Sequence, residues 1–467
     1  MTTLADVPAA VVPARWPARV FDALPAAVAA VTVLLVCVPS QGTVAPATVN
    51  LTAADLASVA LVGLAAVDLC RGRRLPSSPI WFTLAAVAVA GGVATVASPD
   101  PAASLFGFVR YLQAFVLVPV AVALVLRRPR DAWLVLGAVL VAATVEAVVG
   151  TVQYLRGTGA SFAGQNVRAV GTFGALEVLG MATVVGYGLV VAVGLALGQT
   201  GRVRVALFAL AGYLGYALSL SLSRGALVAT VAATAAMLVA ASPRRALTLA
   251  GYAGVAALIV FGALRLSPPA PTSVDASSTA VTARFATIGS AATAPDRSVQ
   301  DRYDLWQTAV EIWRVDPLTG VGPRQFPSFR DSHAPLGLSA GSDVADANVG
   351  FLREPLLSPH NQYLLVLSEQ GALGGLAFLA LILALLAATF RRALAPAGSA
   401  GSPWQRLLRV LPVGLVTWTA VSFVYGDIGG PLTVLTAVLL GVSLWWAVRP
   451  LRRMPRGAGL SPRAAAP

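Results

Sequence analysis

The chain contains no lysine, only two histidines and two cysteines, and just 11% charged residues in 467 positions. So little charge cannot clothe a water-soluble core of this size. With 57% hydrophobic residues and a mean hydropathy of +0.77, the composition is that of a polytopic membrane protein. Because lysine is absent, all 33 basic residues are arginine, and the net charge of +13 invites a nucleic-acid reading. The arginines instead fall in short loops between apolar runs, and no basic stripe interleaved with aromatics is present, so nucleic acid is not an expected partner. Cys37 and Cys70 lie near opposite ends of the first two apolar runs. They are expected on opposite sides of the bilayer and unpaired, which leaves the redox compartment open. The longest hydrophilic segment has no Asp-x-Asp pair and no histidine cluster, so neither a metal nor a cofactor is expected and arginines would have to neutralise any bound phosphate.

What is present is a succession of apolar runs. A spanning helix needs about 20 apolar residues, which predicts spans near 22–40, 54–70, 79–98, 103–126, 132–154, 173–198, 203–222, 224–242, 246–264, 363–390, 405–424 and 431–448. The expected fold is thus an all-α polytopic integral membrane protein of about twelve transmembrane helices. Its regions are a nine-helix membrane part (1–264), a large external loop between spans nine and ten (265–360), a three-helix membrane part (361–448) and a basic tail (449–467). The first run is read as a retained anchor rather than a cleaved signal.

Arginines fix the expected orientation. Arg15 and Arg19, Arg71 to Arg74, Arg127 to Arg130, Arg202 and Arg204, Arg244 and Arg245, Arg391 to Arg409, and the tail after Arg449 occupy alternate loops. By the positive-inside rule these loops and both termini are cytoplasmic, and the 265–360 loop lies outside the inner (plasma) membrane. Its first part, Ser267 to Ser298, is rich in Ala, Ser, Thr and Pro.

Four arginines escape this accounting: Arg110, Arg156, Arg168 and Arg224. Arg110 falls about two turns inside the fourth span, where an unpaired charge costs about 2.5 to 3.5 kcal/mol on insertion scales. It is expected to face an aqueous cavity or an anion. Arg224 follows Ser219-Leu220-Ser221-Leu222-Ser223 and precedes Gly225, a hydroxyl-lined tight turn between two apolar runs. It reads equally as a site or as a hairpin tip with the arginine reaching headgroups.

Within the long loop, Tyr303, Trp306, Val310 and Trp313 share a helical face, as expected of an amphipathic helix on the outer leaflet, and Arg302 beside them is a phosphate candidate. Pro317 to Pro323 reads as a structural Gly/Pro turn. At the loop's end, Ser358 can cap, Pro359 suits the first helical position and His360 then enters the first turn of the tenth span. The positive end of that helix favours an anion and a neutral imidazole. A lone histidine is ordinarily a capping or interfacial residue, and His333 lies in an unpatterned stretch.

From about Arg168 to Gly375 the sequence resembles the O-antigen ligase and polymerase family of membrane glycosyltransferases. The resemblance rests on His360-Asn361 followed at nine residues by Gly371-Ala372-Leu373-Gly374, on Ser223-Arg224-Gly225-Ala226, on Leu305-Trp306 with the Pro317 to Gly322 turn, and on Arg168 with Gly171-Thr172-Phe173-Gly174. Where family members often continue with Asn-Pro-Asn, this chain has Ala175-Leu176-Glu177. The resemblance implies metal-independent transfer of a glycan from an undecaprenyl-diphosphate carrier to a glycan, lipid or protein hydroxyl. Arg168, Arg224 and Arg302 would hold the diphosphate, joined by Arg110 from the topology argument, with His360 acting on the acceptor hydroxyl and Arg224 on the leaving group. Membrane lipids are the remaining partners. A flippase or small-solute transporter is the alternative, and ligase and polymerase are not separated by these motifs.

Overall fold

The structure, a computed structural model, describes residues 16–38, 51–162, 165–174, 177, 179–242, 297–338, 341–346, 350–395, 408–430 and 432–449. Among them, eight helices are long and apolar enough to cross a membrane: Ala53–Cys70, Ile80–Ala97, Pro101–Val125, Pro129–Arg156, Gly180–Gly198, Gly201–Leu220, Arg224–Ala241 and Gln362–Leu394. Three shorter apolar helices accompany them, Leu24–Leu35, Leu411–Ser422 and Leu432–Val448. The expected ninth span, 246–264, and the stretch Ser267 to Ser298 fall wholly or almost wholly outside the described residues. Each of the other eleven expected spans corresponds in position to one of these helices. Large apolar side chains such as Phe82 and Val96 stand 80% exposed on the helix surfaces, as a lipid-facing exterior requires.

Three apolar clusters hold the fold together. The largest joins helices from the first to the last of the bundle through small residues, among them Ala143 of Pro129–Arg156 and Gly188 of Gly180–Gly198, which touch. A second is built on aromatics: Phe115, Phe378, Phe423, Tyr111 and Tyr363 stack with centroids 4.9 to 6.4 Å apart and tie Pro101–Val125 to Gln362–Leu394. Pro101–Val125 contains a π-helical turn at Gln113–Leu117, which starts three residues after Arg110.

The third cluster belongs to the segment between Arg224–Ala241 and Gln362–Leu394. Helix Arg297–Trp313 buries Leu305, Ala309 and Ile312 against Val321, Phe326 and Leu356. The protein-facing side is therefore this aliphatic stripe, while Tyr303 of the aromatic face stays 40% exposed. A short helix, Phe326–His333, follows; His333 Nδ1 lies 2.9 Å from the Phe329 carbonyl oxygen and closes its last turn.

Two features depart from expectation. The first is a four-stranded antiparallel sheet in the order β2-β1-β3-β4, made of Ala160–Phe162 (β1), Gln165–Arg168 (β2), Gly341–Asp346 (β3) and Gly350–Pro355 (β4). It joins the loop after Pro129–Arg156 to the long segment, with Ser161 paired to Ala345. The strands are too short and too weakly alternating to stand out from loop in the sequence. The second concerns the sixth span, expected from 173, which begins only at Gly180. Gly171 and Gly174 have φ of +65° and +79°, and the backbone between them forms hydrogen bonds to other elements instead of a helical ladder.

Candidate functional site

The site is organised by the turn Phe423–Gly430, which joins the last two apolar helices. The Arg302 guanidinium Nη1 donates to the Tyr425 carbonyl oxygen at 3.1 Å. Gly225, next to Arg224, packs on the same residue so tightly that a Cβ there would lie 2.8 Å from Tyr425 Cβ. Gln362, buried at the start of its helix, donates its backbone N–H to the carbonyls of Phe423 and Gly426 at 2.8 and 3.1 Å and accepts from Ile428 N–H at 2.8 Å. Arg110 Nη2 donates to the Gly430 carbonyl at 2.6 Å. One eight-residue turn thus gathers residues from four separate helices.

His360 precedes its helix rather than entering it. The N-cap is Asn361, whose Oδ1 accepts from the N–H groups of Tyr363 and Leu364 at 3.0 and 3.1 Å. His360 sits one residue earlier with φ +48°, a left-handed backbone outside the helix. The expected Ser358 cap is corrected accordingly: Ser358 Oγ lies 3.4 Å from His360 N and 3.5 Å from Nδ1, and so supports the histidine instead. Asn361 wins the cap because its carboxamide reaches two of the unpartnered amides of the first turn. The imidazole is held below its ordinary pKa, chiefly by burial; the Asp427 charge opposes this and the Arg302 charge reinforces it. The imidazole thus lies within electrostatic reach of one acid and one guanidinium. Asp427 is the residue that sequence reasoning missed, a single acid in a Gly-rich turn with no motif to mark it. Its Oδ2 is buried without a hydrogen-bond partner among the described residues.

Arg224 opens its helix behind the N-cap Ser223, whose Oγ accepts from Ala226 N–H at 3.4 Å. Only three residues separate it from the preceding helix, and Leu222 takes φ +54° to make the reversal. Arg168 ends β2, and the next residue, Ala169, donates its N–H to the Leu220 carbonyl at 3.0 Å. The loops bearing Arg168 and Arg224 are therefore stitched together by backbone. Arg110 is engaged within the bundle: it is ion-paired with Asp55 and donates to Gln113 Oε1 at 3.0 Å. Gln113 in turn reaches Ser58 Oγ at 2.7 Å. Glu177, pushed up by burial and drawn down by the Arg110 charge, abuts Gly430 in the same cluster.

The long segment is locked into Gln362–Leu394 where that helix breaks. Gly371 has φ +61° and ψ −165°, and the 317–322 turn fills the gap. Val321 and Gly322 N–H donate to the Ser368 and Glu369 carbonyls at 3.1 and 2.8 Å, while Ala372 and Leu373 N–H donate to the Pro317 and Leu318 carbonyls at 2.8 and 3.2 Å. Glu369 Oε1 accepts from Phe326 N–H at 3.0 Å, so its carboxylate serves this junction.

Residues 205–379 match the O-antigen ligase family. The motif resemblance is borne out over these residues, and the chain is a multi-pass membrane protein with a region similar to O-antigen ligases. The matched O-antigen ligase region holds Arg224, Arg302, the 317–322 turn and His360; Arg110, Arg168 and the Phe423–Gly430 turn lie outside it. No curated protein matches the chain.

Proposed function

We propose that the protein transfers a glycan from an undecaprenyl-diphosphate carrier to a hydroxyl acceptor at the outer face of the inner (plasma) membrane, in ligation or polymerisation of a surface polysaccharide. The O-antigen ligase match supports glycan transfer of this type. The single observation that carries the residue assignment is the shared turn: Arg302 bonds Tyr425, the Arg224 loop packs on Tyr425, and His360 is electrostatically coupled to Asp427 two residues on.

In this reading the acceptor oxygen attacks the anomeric carbon and its proton passes to the neutral His360 imidazole. The bond from that carbon to the carrier's diphosphate breaks, and the electron pair leaves on the diphosphate. Arg168, Arg224 and Arg302 stabilise the charge that develops there. Asp427 stabilises the imidazolium as it forms, and a base so placed contributes about 10²- to 10⁴-fold in rate. Arg110 keeps the Gly430 end of the turn in place through its bonds to Asp55 and Gly430, a support for the diphosphate site.

Mass analysis of carrier-linked and surface glycans in a strain lacking the protein tests the reading. Full-length polymer accumulating on the carrier would identify ligation, and single repeats would identify polymerisation. An unchanged glycan profile would contradict it.

A further inference from the structure

Glu146 lies ten residues before the end of Pro129–Arg156, about 15 Å along the helix from Arg156, and is fully buried. At that depth it meets not another helix but the irregular backbone of residues 169–174. Non-helical backbone inside a membrane protein needs its polar groups satisfied by protein, and two side chains of this helix do so. Gln153 donates to the Gly171 carbonyl at 2.7 Å and accepts from Val170 and Gly171 N–H at 3.1 and 2.9 Å. Glu146 Oε2 accepts from Thr172 N–H at 3.0 Å, and Gly171 is pressed against its carboxyl so closely that no Cβ would fit.

The remaining contacts fix a proton. Thr172 Oγ1 lies 2.7 Å from the Cys37 carbonyl oxygen and 2.6 Å from Glu146 Oε1. A hydroxyl has one hydrogen, and a carbonyl oxygen only accepts. When Thr172 donates to Cys37, the second contact is a hydrogen bond only if Glu146 Oε1 carries a proton and donates to Thr172. A neutral carboxylic acid fits these contacts: Oε1–H donates to the hydroxyl, Oε2 accepts the amide, and the carboxyl can still accept from the Cys37 thiol, a further side-chain partner. A carboxylate would leave two acceptors facing each other in a buried site, where an unmade bond is costly.

We infer that Glu146 is a protonated positioning residue: it pins the 169–174 turn through Thr172 and thereby sets Arg168, at the mouth of that turn, beside the Arg224 loop. The inference rests on the proposed diphosphate-binding role of Arg168. The link to the second loop is the Ala169 to Leu220 backbone bond.

The test is transfer kinetics against lipid-linked donor in isolated membranes for Glu146→Gln, Glu146→Leu, Thr172→Val and Arg168→Ala. Glutamine keeps a donor and an acceptor in the neutral acid's places, with one further N–H, so Glu146→Gln is expected within about threefold of wild type. Glu146→Leu is expected to raise the donor KM and cut kcat/KM about 10²-fold, the scale on which misplaced groups cost rate. A purely structural loss would instead lower kcat with the folded fraction and leave KM alone. Should Glu146→Leu not fold, Thr172→Val removes only the hydroxyl, and about a tenfold rise in donor KM is expected for one lost buried hydrogen bond. Glu146→Gln failing as badly as Glu146→Leu would overturn the inference, because a titrating or charged carboxyl would then be needed. Full activity of both Glu146→Leu and Thr172→Val, with Arg168→Ala inactive, would overturn it while leaving the diphosphate reading intact. Wild-type turnover by Arg168→Ala would overturn both.

Discussion

Gly320 and Gly371 lie back to back at the break in Gln362–Leu394: a Cβ on Gly320 would strike the Gln370–Gly371 backbone, and one on Gly371 would strike Leu318 and Thr319. The 33-residue helix would be about 50 Å long, against a hydrocarbon core of about 30 Å. The break therefore divides it into a short piece that follows His360 and a longer apolar piece of spanning length.

From this contact follows a stability prediction. Both glycines have positive φ, +69° and +61°, which alone costs a side chain about 1 to 3 kcal/mol, before the clash. Gly371→Ala and Gly320→Ala are each expected to lower the melting temperature of the detergent-purified protein and to reduce transfer. The double variant should cost clearly less than the sum, because the two residues share one contact. Strict additivity in thermal melts would contradict the docking.

Arg110 and Asp55 form a pair whose carboxylate is almost fully buried. Removing only the guanidinium strands that charge, so Arg110→Ala is expected to destabilise by about 3 to 5 kcal/mol. Arg110→Leu combined with Asp55→Leu should recover most of the loss, as thermal melts can show. No recovery would mean that the Gly430 contact, rather than the pair with Asp55, carries Arg110's contribution to stability.

The imidazole of His360 is held low by burial, and its base form is the working form in the proposed mechanism. Activity should then fall as pH drops through that lowered value, below the ordinary histidine range near about 6.5. Asp427 raises the value, so Asp427→Asn should move the acid limb of kcat/KM to lower pH while reducing the rate. Arg302 lowers it, so Arg302→Gln should move the limb upward. Limbs shifting in the same direction in a pH-rate series would contradict the assignment.

Long apolar runs and the arginines between them made the helical bundle legible, because a bilayer imposes a length and a composition that local sequence must satisfy. Arg224, Arg302 and His360 stand out in the sequence because motifs or anomalous charge mark them. The Phe423–Gly430 turn does not: its importance lies in backbone carbonyls and in one acid, Asp427, and carbonyls leave no trace in side-chain chemistry. Asn361 and Ser358 are both competent caps, and only the fold decides between them. The sixth span reads as helical from 173, yet the backbone just before it, at 170–172, is held irregular by Glu146 and Gln153 on another element, a tertiary effect that overrides local pattern.

Most directly, the account is tested by transfer from lipid-linked donor to acceptor in membranes carrying Arg224→Ala or His360→Ala, with protein levels matched to wild type. Loss of at least about 10²-fold in turnover by each variant is expected for the diphosphate clamp and for the base. Wild-type turnover by either variant would contradict the site.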